Sequence, residues 1–116
     1  MSAAIRLDRT FSALADPTRR AVVDLLRKRS RRAGELADAF EMSAPAMSRH
    51  LRVLRLTGLV ELEAAGTDAR VRLYRLRQEP FTALRDWLER VEVVWIDQLD
   101  AFRLHAEKTR GRGRRP

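Results

Sequence analysis

The segment at residues 43–60, SAPAMSRHLRVLRLTGLV, carries arginines at a spacing suited to binding a polyanion. Its formal charges are Arg49, Arg52 and Arg55, and it contains neither aspartate nor glutamate. A guanidinium group offers a planar fork of donors that matches a phosphate group or the edge of a guanine base. Acidic side chains on the same surface would repel phosphate, so their absence favours contact with nucleic acid.

Helical geometry divides this segment into two faces, because successive residues turn by about 100° around the helix axis. One face is apolar and suited to packing, and it contains Met47, His50, Leu51 and Leu54. The opposite face is cationic with small neighbours, and it contains Pro45, Arg49 and Arg52, with Ser48 and Arg55 on one flank. The segment therefore predicts a helix that packs through one face and presents the other to a charged partner.

Shorter helices are predicted before this segment, at residues 5–14, 17–28 and 35–40. Asp16 and Ser43 are residue types that cap helix N-termini, and Pro45 suits a first helical turn. Gly58 suits the end of the helix at residues 43–57. A short helix, a turn of three or four residues and a second helix with a cationic face form a helix-turn-helix. The second helix of that motif enters the major groove of DNA.

After Gly58 the period of the apolar residues changes from near 3.6 to 2, which predicts a β-hairpin. Residues 60–63 and 70–73 alternate on either side of the turn AAGTDA, and residues 74–76 continue in a shifted phase that suggests a bulge. The hairpin would be the wing of a winged helix. Its Arg70 and Arg72 share one face, from which they would reach the minor groove or the DNA backbone.

A long helix is predicted from Pro80 to about Lys108. Its apolar residues recur at steps of three and four, as Phe81, Leu84, Leu88, Val91, Trp95, Leu99, Phe102 and Ala106. A helix of about 28 residues is about 42 Å long, which exceeds what a domain of this size needs to cover itself. We expect a second chain to cover the apolar seam, with the N-terminal helix contributing. The alternative is a helix that folds back on its own core.

The charge distribution indicates a polarised molecule within one domain. Residues 27–78 contain twelve basic and six acidic residues, whereas residues 79–109 contain four basic and seven acidic ones. The basic run RKRSRR after the second helix suits either the negative end of a helix dipole or contact with phosphate. We assign residues 1–109 to a winged helix-turn-helix DNA-binding and dimerisation domain, and residues 110–116 to a basic, disordered tail.

The sequence lacks several features that enzymes and membrane proteins need. It contains no cysteine, which excludes disulfides, thiolate metal sites and cysteine nucleophiles. The two histidines lie apart in sequence, and no glycine-rich phosphate loop is present. No apolar stretch approaches the length of a signal core or a bilayer span. We therefore expect a cytoplasmic protein that is not an enzyme, has no cofactor and has no membrane partner.

Three segments resemble the ArsR/SmtB family of winged-helix repressors, namely ALADPTRRAVVDLL, GELADAF and SAPAMSRHLRVLRLTGLVE, at residues 13–26, 34–40 and 43–61. The likeness covers nearly the whole chain except the arginine-rich tail. It implies a mainly α fold with a β-hairpin wing in the order α-α-α-α-β-β-α. It also implies a homodimer that is paired through the first and last helices and acts as a repressor by binding an inverted-repeat operator. Some members of the family repress their own gene.

The resemblance implies that Ser48, Arg49 and nearby residues contact DNA, and that His50 serves packing. Together with the face of the helix and the hairpin, it completes the predicted DNA-binding set: Ser43, Pro45, Ser48, Arg49, Arg52, Arg70 and Arg72.

Several alternatives remain open at the level of sequence. Many family members sense metals, but here the segment RRAGELADAF lacks cysteine, and the last helix offers only Asp97, Asp100, His105 and Glu107. The resemblance is closest to the cysteine-free branch, and any effector is unknown. Trp87 and Trp95 are candidates for lining a small-molecule pocket, although aromatic residues at helical spacing are more often core. Two further alternatives are a winged helix that binds a partner protein and not DNA, and a protein that coats nucleic acid nonspecifically, mainly through its arginine-rich tail.

Overall fold

The computed structural model describes residues 2–113, which form five helices and one two-stranded antiparallel hairpin. In chain order the elements are α1 (Ala3–Leu14), α2 (Pro17–Leu26), α3 (Ala33–Ala39), α4 (Ala44–Leu56), β1 (Val60–Ala65), β2 (Asp68–Leu76) and α5 (Gln78–Gly113). This order confirms the predicted fold class, mainly α with a β-hairpin wing. Among the described residues, no helix is long and apolar enough to cross a membrane.

Both predicted N-caps are present. Asp16 accepts a hydrogen bond from the backbone N–H of Arg19 at 3.0 Å, and Ser43 accepts one from the backbone N–H of Ala46 at 3.3 Å. Each bond satisfies a backbone donor that the first turn of a helix leaves without an intrahelical partner. The starts of α2 and α4 are therefore determined by local residue choice.

The two helices of the helix-turn-helix end in the same backbone motif. After α4, Gly58 has a φ of 84°, and the N–H of Leu59 donates to the carbonyl of Leu54 at 2.9 Å. After α3, Glu41 has a φ of 51°, and the N–H of Met42 donates to the carbonyl of Ala37 at 2.9 Å. Glycine adopts this left-handed conformation without strain, whereas glutamate does so at a cost. The turn between α3 and α4 is thus held in place despite an unfavourable residue.

Replacing Asp16 by alanine is expected to destabilise the protein more at neutral pH than at acid pH. The backbone hydrogen bond from Arg19, and then the nearby charges, lower the pKa of Asp16 below its ordinary 3.8. A carboxyl group whose pKa is lower in the folded state contributes stability above its unfolded pKa, and this contribution is lost as the pH falls through the folded value.

Urea denaturation at pH 7 and well below pH 3.8 would measure this loss. The variant should unfold at a lower urea concentration than the parent, and the difference between them should be larger at pH 7. Asp16→Asn is the matched control, because asparagine caps a helix without a charge. The stability that this cap contributes relative to alanine should therefore change little with pH. An equal deficit for the alanine variant at both pH values would show that the ionised carboxylate is not what stabilises α2.

The core is built from α1 to α4 together with the start of the wing. Its buried apolar side chains are Ala13, Val22, Leu26, Leu36, Ala37, Met47, Leu51, Leu54, Leu59 and Val60. The three apolar residues predicted on the packed face of α4, Met47, Leu51 and Leu54, are all fully buried. Because α4 supplies three of these side chains, its orientation is fixed by the core, and its opposite side must face outward.

The wing pairs in a regular register from Val60, opposite Leu76, almost to its tip. The register shifts only near the turn, where Ala65 lies opposite Asp68. The predicted phase shift at residues 74–76 is therefore wrong, because these residues continue the regular ladder. Apolar residues occur on both faces of β2, since Tyr74 and Leu76 pack on the core while Leu73 is half-buried on the other face. In the sequence, this distribution produces the same change of apolar phase that a bulge would produce.

The last helix starts two residues before the predicted position and extends to Gly113, five residues beyond it. The described chain divides after Leu84 into two compact units, and the second consists of the remainder of α5. Within that second unit many large apolar side chains are exposed, namely Leu88, Val93, Trp95, Ile96, Leu99, Phe102 and Leu104. Residues 114–116 lie outside the described residues, so the disordered tail at 110–116 and the domain boundary stay predictions.

Candidate nucleic-acid interface

The exposed side of α4 carries the predicted DNA-binding residues of the helix-turn-helix. Pro45, Arg49 and Arg52 are exposed opposite the buried face that holds the helix on the core, while Ser48 is exposed on a flank and Ser43 is exposed at the N-cap. Four residues, 40–43, separate α3 from α4, which confirms the predicted turn length. We call these five exposed residues the α4 face.

The arginines of α4 have no internal partners. In the described part of the chain, Arg49, Arg52 and Arg55 take part in no ion pair and no side-chain hydrogen bond, and all three are exposed. No acidic residue occurs within α4. Three uncompensated guanidinium groups on one helix produce a positive surface whose donors are available to an external anion.

Other arginines have structural roles and so differ from the unpaired arginines of the α4 face. The Arg19 Nε donates to the carbonyl of Ala13 at 2.7 Å, and an Arg20 terminal nitrogen donates to the carbonyl of Leu14 at 2.7 Å. These bonds satisfy carbonyl groups that the end of α1 leaves without helical partners. The high arginine content therefore has at least two causes, and only the unpaired arginines indicate recognition of a polyanion.

The wing also divides its arginines between two roles. Arg75 is bound by two carboxylates, with its Nε 2.6 Å from Glu61 and a terminal nitrogen 3.1 Å from Glu63. The hydrogen bond from Arg75 to Glu61 raises the pKa of this guanidinium further above its usual range. On the alternate positions, Arg72 is exposed, and Arg70 has a side chain that is 92% exposed with only a 3.4 Å contact to Asp68. Arg70 and Arg72 are thus the wing arginines that remain available to a ligand.

A third cation, missed in the predicted set, lies next to these two. Arg32 lines an open cleft of about 360 Å³ together with Arg70 and Arg72. The cleft lies beside the wing because the backbone of Arg31 pairs with Tyr74 through two hydrogen bonds of 3.1 and 2.8 Å. The run RKRSRR was the only signal for Arg32 in the sequence. It did not distinguish this residue from its neighbours.

The structure separates the two explanations of that basic run for Arg29, Arg31 and Arg32. Arg29 forms an ion pair with Glu35 at 2.8 Å, and the Arg31 Nε donates to the carbonyl of Leu25 at 3.4 Å near the end of α2. Glu35 also accepts a bond from the backbone N–H of Arg32 at 3.3 Å, and these contacts lower the pKa of its carboxyl. Arg29 and Arg31 are therefore structural, and the Arg32 side chain is the member of the run that faces the cleft.

His50 lies between α4 and the start of α2, as its assignment to packing requires. Its side chain is 21% exposed, and its Nδ1 is 4.0 Å from a carboxylate oxygen of Asp16. In the residues that the structure describes, no three His, Asp or Glu side chains are grouped so that they could hold a metal ion. The acidic residues that were candidates on the last helix, Asp97, Asp100 and Glu107, are exposed.

Comparison with known proteins identifies the family. The family model for "Bacterial regulatory protein, arsR family" matches residues 16–61, the segment from the cap of α2 to the start of the wing. The HTH-type transcriptional regulator Rv2034 of Mycobacterium tuberculosis is 45% identical over 95 residues, which cover 82% of this chain and 83% of that protein. The match therefore extends over more than four fifths of each protein.

Solved structures agree with this match. The crystal structure of the ArsR family transcriptional regulator RHA00566 has a TM-score of 0.68 and 37% identity, covering 79% of this chain and 92% of that one. The homodimeric winged helix-turn-helix domain of Mb0332 from Mycobacterium bovis, solved by NMR, has a TM-score of 0.59 and 28% identity, with 83% of each chain covered. Rv2034 and RHA00566 are transcriptional regulators, not enzymes. The chain belongs to the ArsR family of bacterial transcriptional regulators and has its winged helix-turn-helix DNA-binding fold.

Proposed function

We propose that the protein is a homodimeric repressor that binds an inverted-repeat operator through the α4 face and the wing. The observation that carries this proposal is the set of exposed, unpaired arginines on a helix whose other side is fixed in the core. The resemblance to the ArsR/SmtB repressors supports the repressor role, since a dimer bound at a promoter blocks the polymerase. A cytoplasmic location follows from this role.

In the proposed complex, α4 enters the major groove with its N-terminal residues nearest the bases. Ser48, Arg49 and Arg52 contact base edges, and arginine bound to guanine through two hydrogen bonds is the commonest specific contact of this kind. Ser43 and Pro45 lie at the start of the helix, where backbone N–H groups and the helix dipole favour a phosphate. Arg70 and Arg72 of the wing contact the DNA backbone or the minor groove, which fixes the position of the protein without specifying sequence.

The proposed dimer joins two chains through α1 and α5. The apolar seam of α5 includes Leu88, Trp95, Leu99 and Phe102, all of them exposed in the single chain, and Trp95 is 58% exposed. Contiguous exposed apolar surface of this kind indicates a protein interface. Mb0332, which is similar to this chain, is homodimeric. A twofold axis would present two α4 helices about 34–36 Å apart, one turn of DNA, to successive major grooves.

Replacing Leu99 by glutamate is expected to convert the dimer to a monomer. The substitution places a charge within an apolar interface, where it has no partner and its desolvation is unfavourable. Leu104→Glu is the matched control, because residue 104 lies about 140° around the helix from residue 99 at 100° per residue and is also exposed. Sedimentation velocity at micromolar concentration should give a monomer only for the first variant. Dimers of both variants, or monomers of both, would contradict the proposed seam.

Selection of binding sites from a pool of random duplexes tests the operator itself. We expect enrichment of an inverted repeat whose half-sites are centred one helical turn apart, and rising transcription of a reporter joined to that site when the protein is removed. Bound DNA without any shared sequence would indicate a nonspecific coater. No retained DNA at about 0.15 M salt would instead favour a winged helix that binds a partner protein, since affinity at low salt is dominated by nonspecific charge.

A further inference from the structure

We propose that Leu56, the last residue of α4, contacts the methyl group of a thymine in each half-site of the operator. Leu56 is not among the predicted DNA-binding residues. Its contact would add a base preference that the arginines of the α4 face do not provide. It rests on the proposed function, because Leu56 meets the edge of a base only if α4 lies in the major groove.

Leu56 is the most exposed large apolar side chain within residues 2–84, at 67%. In the same range only Ile5 and Phe11 are also exposed, and both lie on α1, which belongs to the proposed dimer interface. Among the described residues, Leu56 belongs neither to the buried core nor to the apolar side chains that pack against it. Packing within the chain therefore does not account for a leucine at this position.

Helical geometry places Leu56 in line with the residues that face away from the core. The steps from Pro45 to Arg49, Arg52 and Leu56 are four, three and four residues, which is the spacing of neighbours on one side of a helix. At about 100° per residue, Leu56 lies about 20° around the axis from Arg49 and about 40° from Arg52. The exposed leucine therefore continues the α4 face to the end of the helix.

The end of α4 is held in place, so Leu56 is presented from a fixed backbone. The N–H of Leu59 donates to the carbonyl of Leu54 at 2.9 Å, and the Thr57 hydroxyl donates to the carbonyl of Val53 at 2.7 Å. The Leu54 side chain is also fully buried in the core. A side chain on a fixed backbone requires little further ordering when it binds, which favours a specific contact.

The methyl group of thymine is the apolar feature of the major groove that a leucine can recognise. Adenine, guanine and cytosine present hydrogen-bonding groups there, whereas thymine presents a C5 methyl group beside its one acceptor. A leucine side chain has no donor or acceptor, so it gains only from apolar contact. Removing water from exposed leucine and from a methyl group is favourable. The chemistry of Leu56 therefore matches thymine.

The length of α4 allows this contact together with those of the arginines. At 1.5 Å per residue, Leu56 lies about 10.5 Å along the axis from Arg49, which corresponds to about three base pairs at 3.4 Å each. Recognition helices that lie along the groove contact bases over about eight residues. Ser48 and Leu56 are eight residues apart. We therefore expect the thymine within about three base pairs of the one at which Arg49→Ala relaxes preference.

Replacing thymidine by deoxyuridine tests the contact, because it removes only the methyl group and keeps every hydrogen bond of the base pair. Each thymine of the selected operator is replaced in turn, in both half-sites, and the full chain is titrated by fluorescence anisotropy at about 0.15 M salt. At one position the parent should lose about fourfold in affinity per half-site, or about 15-fold for both. Leu56→Ala should bind the two forms of that operator within twofold of each other. Leu56→Met, which keeps an apolar side chain of similar volume, should retain the difference.

The outcomes separate this contact from the proposed function. If no thymine replacement affects the parent more than Leu56→Ala, the contact is overturned, while preference for the operator leaves the proposed function standing. Equal losses by Leu56→Ala on the thymine and deoxyuridine operators would show packing on the DNA backbone and also overturn it. A monomeric Leu56→Ala in sedimentation velocity would assign the leucine to the dimer interface instead. A parent that prefers no duplex at all overturns the proposed function, and the contact with it.

Discussion

Arg49→Ala is expected to weaken operator binding strongly while leaving the fold intact. Arg49 is exposed on the α4 face, in the N-terminal half of the helix, and has no partner in the described chain. A good bidentate contact with a base contributes about 1–3 kcal/mol of discrimination, so each half-site should lose about 5- to 150-fold in affinity. Fluorescence-anisotropy titration of the selected operator at about 0.15 M salt measures the loss, and circular dichroism checks the fold.

Arg55→Ala is the matched control on the same helix. It removes the same charge from an exposed position, but this position is on the flank and lies closer to the C-terminal end of the helix than Arg49 does. A phosphate contact there should weaken binding to all duplexes alike, whereas loss of a base contact also relaxes preference at one base pair. If Arg49→Ala binds like the parent, or loses operator and unrelated DNA equally, the α4 face is not the surface that recognises sequence.

Leu51→Ala is expected to cause a large loss of stability. Leu51 is completely buried in the core that fixes this helix. Truncating a buried leucine removes its transfer free energy and leaves a cavity, which together cost about 2–5 kcal/mol. That is a large share of the total of about 5–15 kcal/mol that is usual for folded domains. Urea denaturation followed by circular dichroism measures the free energy of unfolding.

Leu56→Ala makes the same chemical change on the same helix at an exposed position. Leu56 is 67% exposed, so its truncation should change the free energy of unfolding by less than about 0.5 kcal/mol. Similar losses for the two variants would contradict the division of α4 into a packed and an accessible side. The same pair of variants also helps to separate two causes of lost DNA binding. Loss in Leu51→Ala reports unfolding of the core, whereas loss in Leu56→Ala without a change in stability reports damage to the exposed surface.

Most of the helix-turn-helix could be predicted because its signals are local. Asp16 and Ser43 specify helix starts through their own side chains, and Gly58 supplies the left-handed residue that ends α4. The 3.6-residue period of the apolar side chains identified the packed face, since any arrangement of this helix on a core must bury the same side. The family resemblance then added the function, which periodicity alone does not contain.

The parts that were missed depend on partners distant in sequence. The turn after α3 uses Glu41 in a left-handed conformation, which residue type disfavours and packing on both sides enforces. Arg29, Arg31 and Arg32 look alike in sequence, yet only the positions of Glu35, Leu25 and the wing decide which of them is available. The false phase shift in β2 has the same cause, because both faces of that strand carry apolar residues.

Sequence-specific binding by the exposed side of α4 is the central property of the proposed repressor. The most direct test is an anisotropy titration of the full chain, at about 0.15 M salt, with the selected inverted repeat and with a shuffled duplex of equal length and composition. Specific regulators prefer their sites by about 10³-fold or more over nonspecific DNA, and we expect a preference of that order with two chains bound per duplex. Equal affinity for the two duplexes would contradict the account and leave only a nonspecific, charge-driven binder.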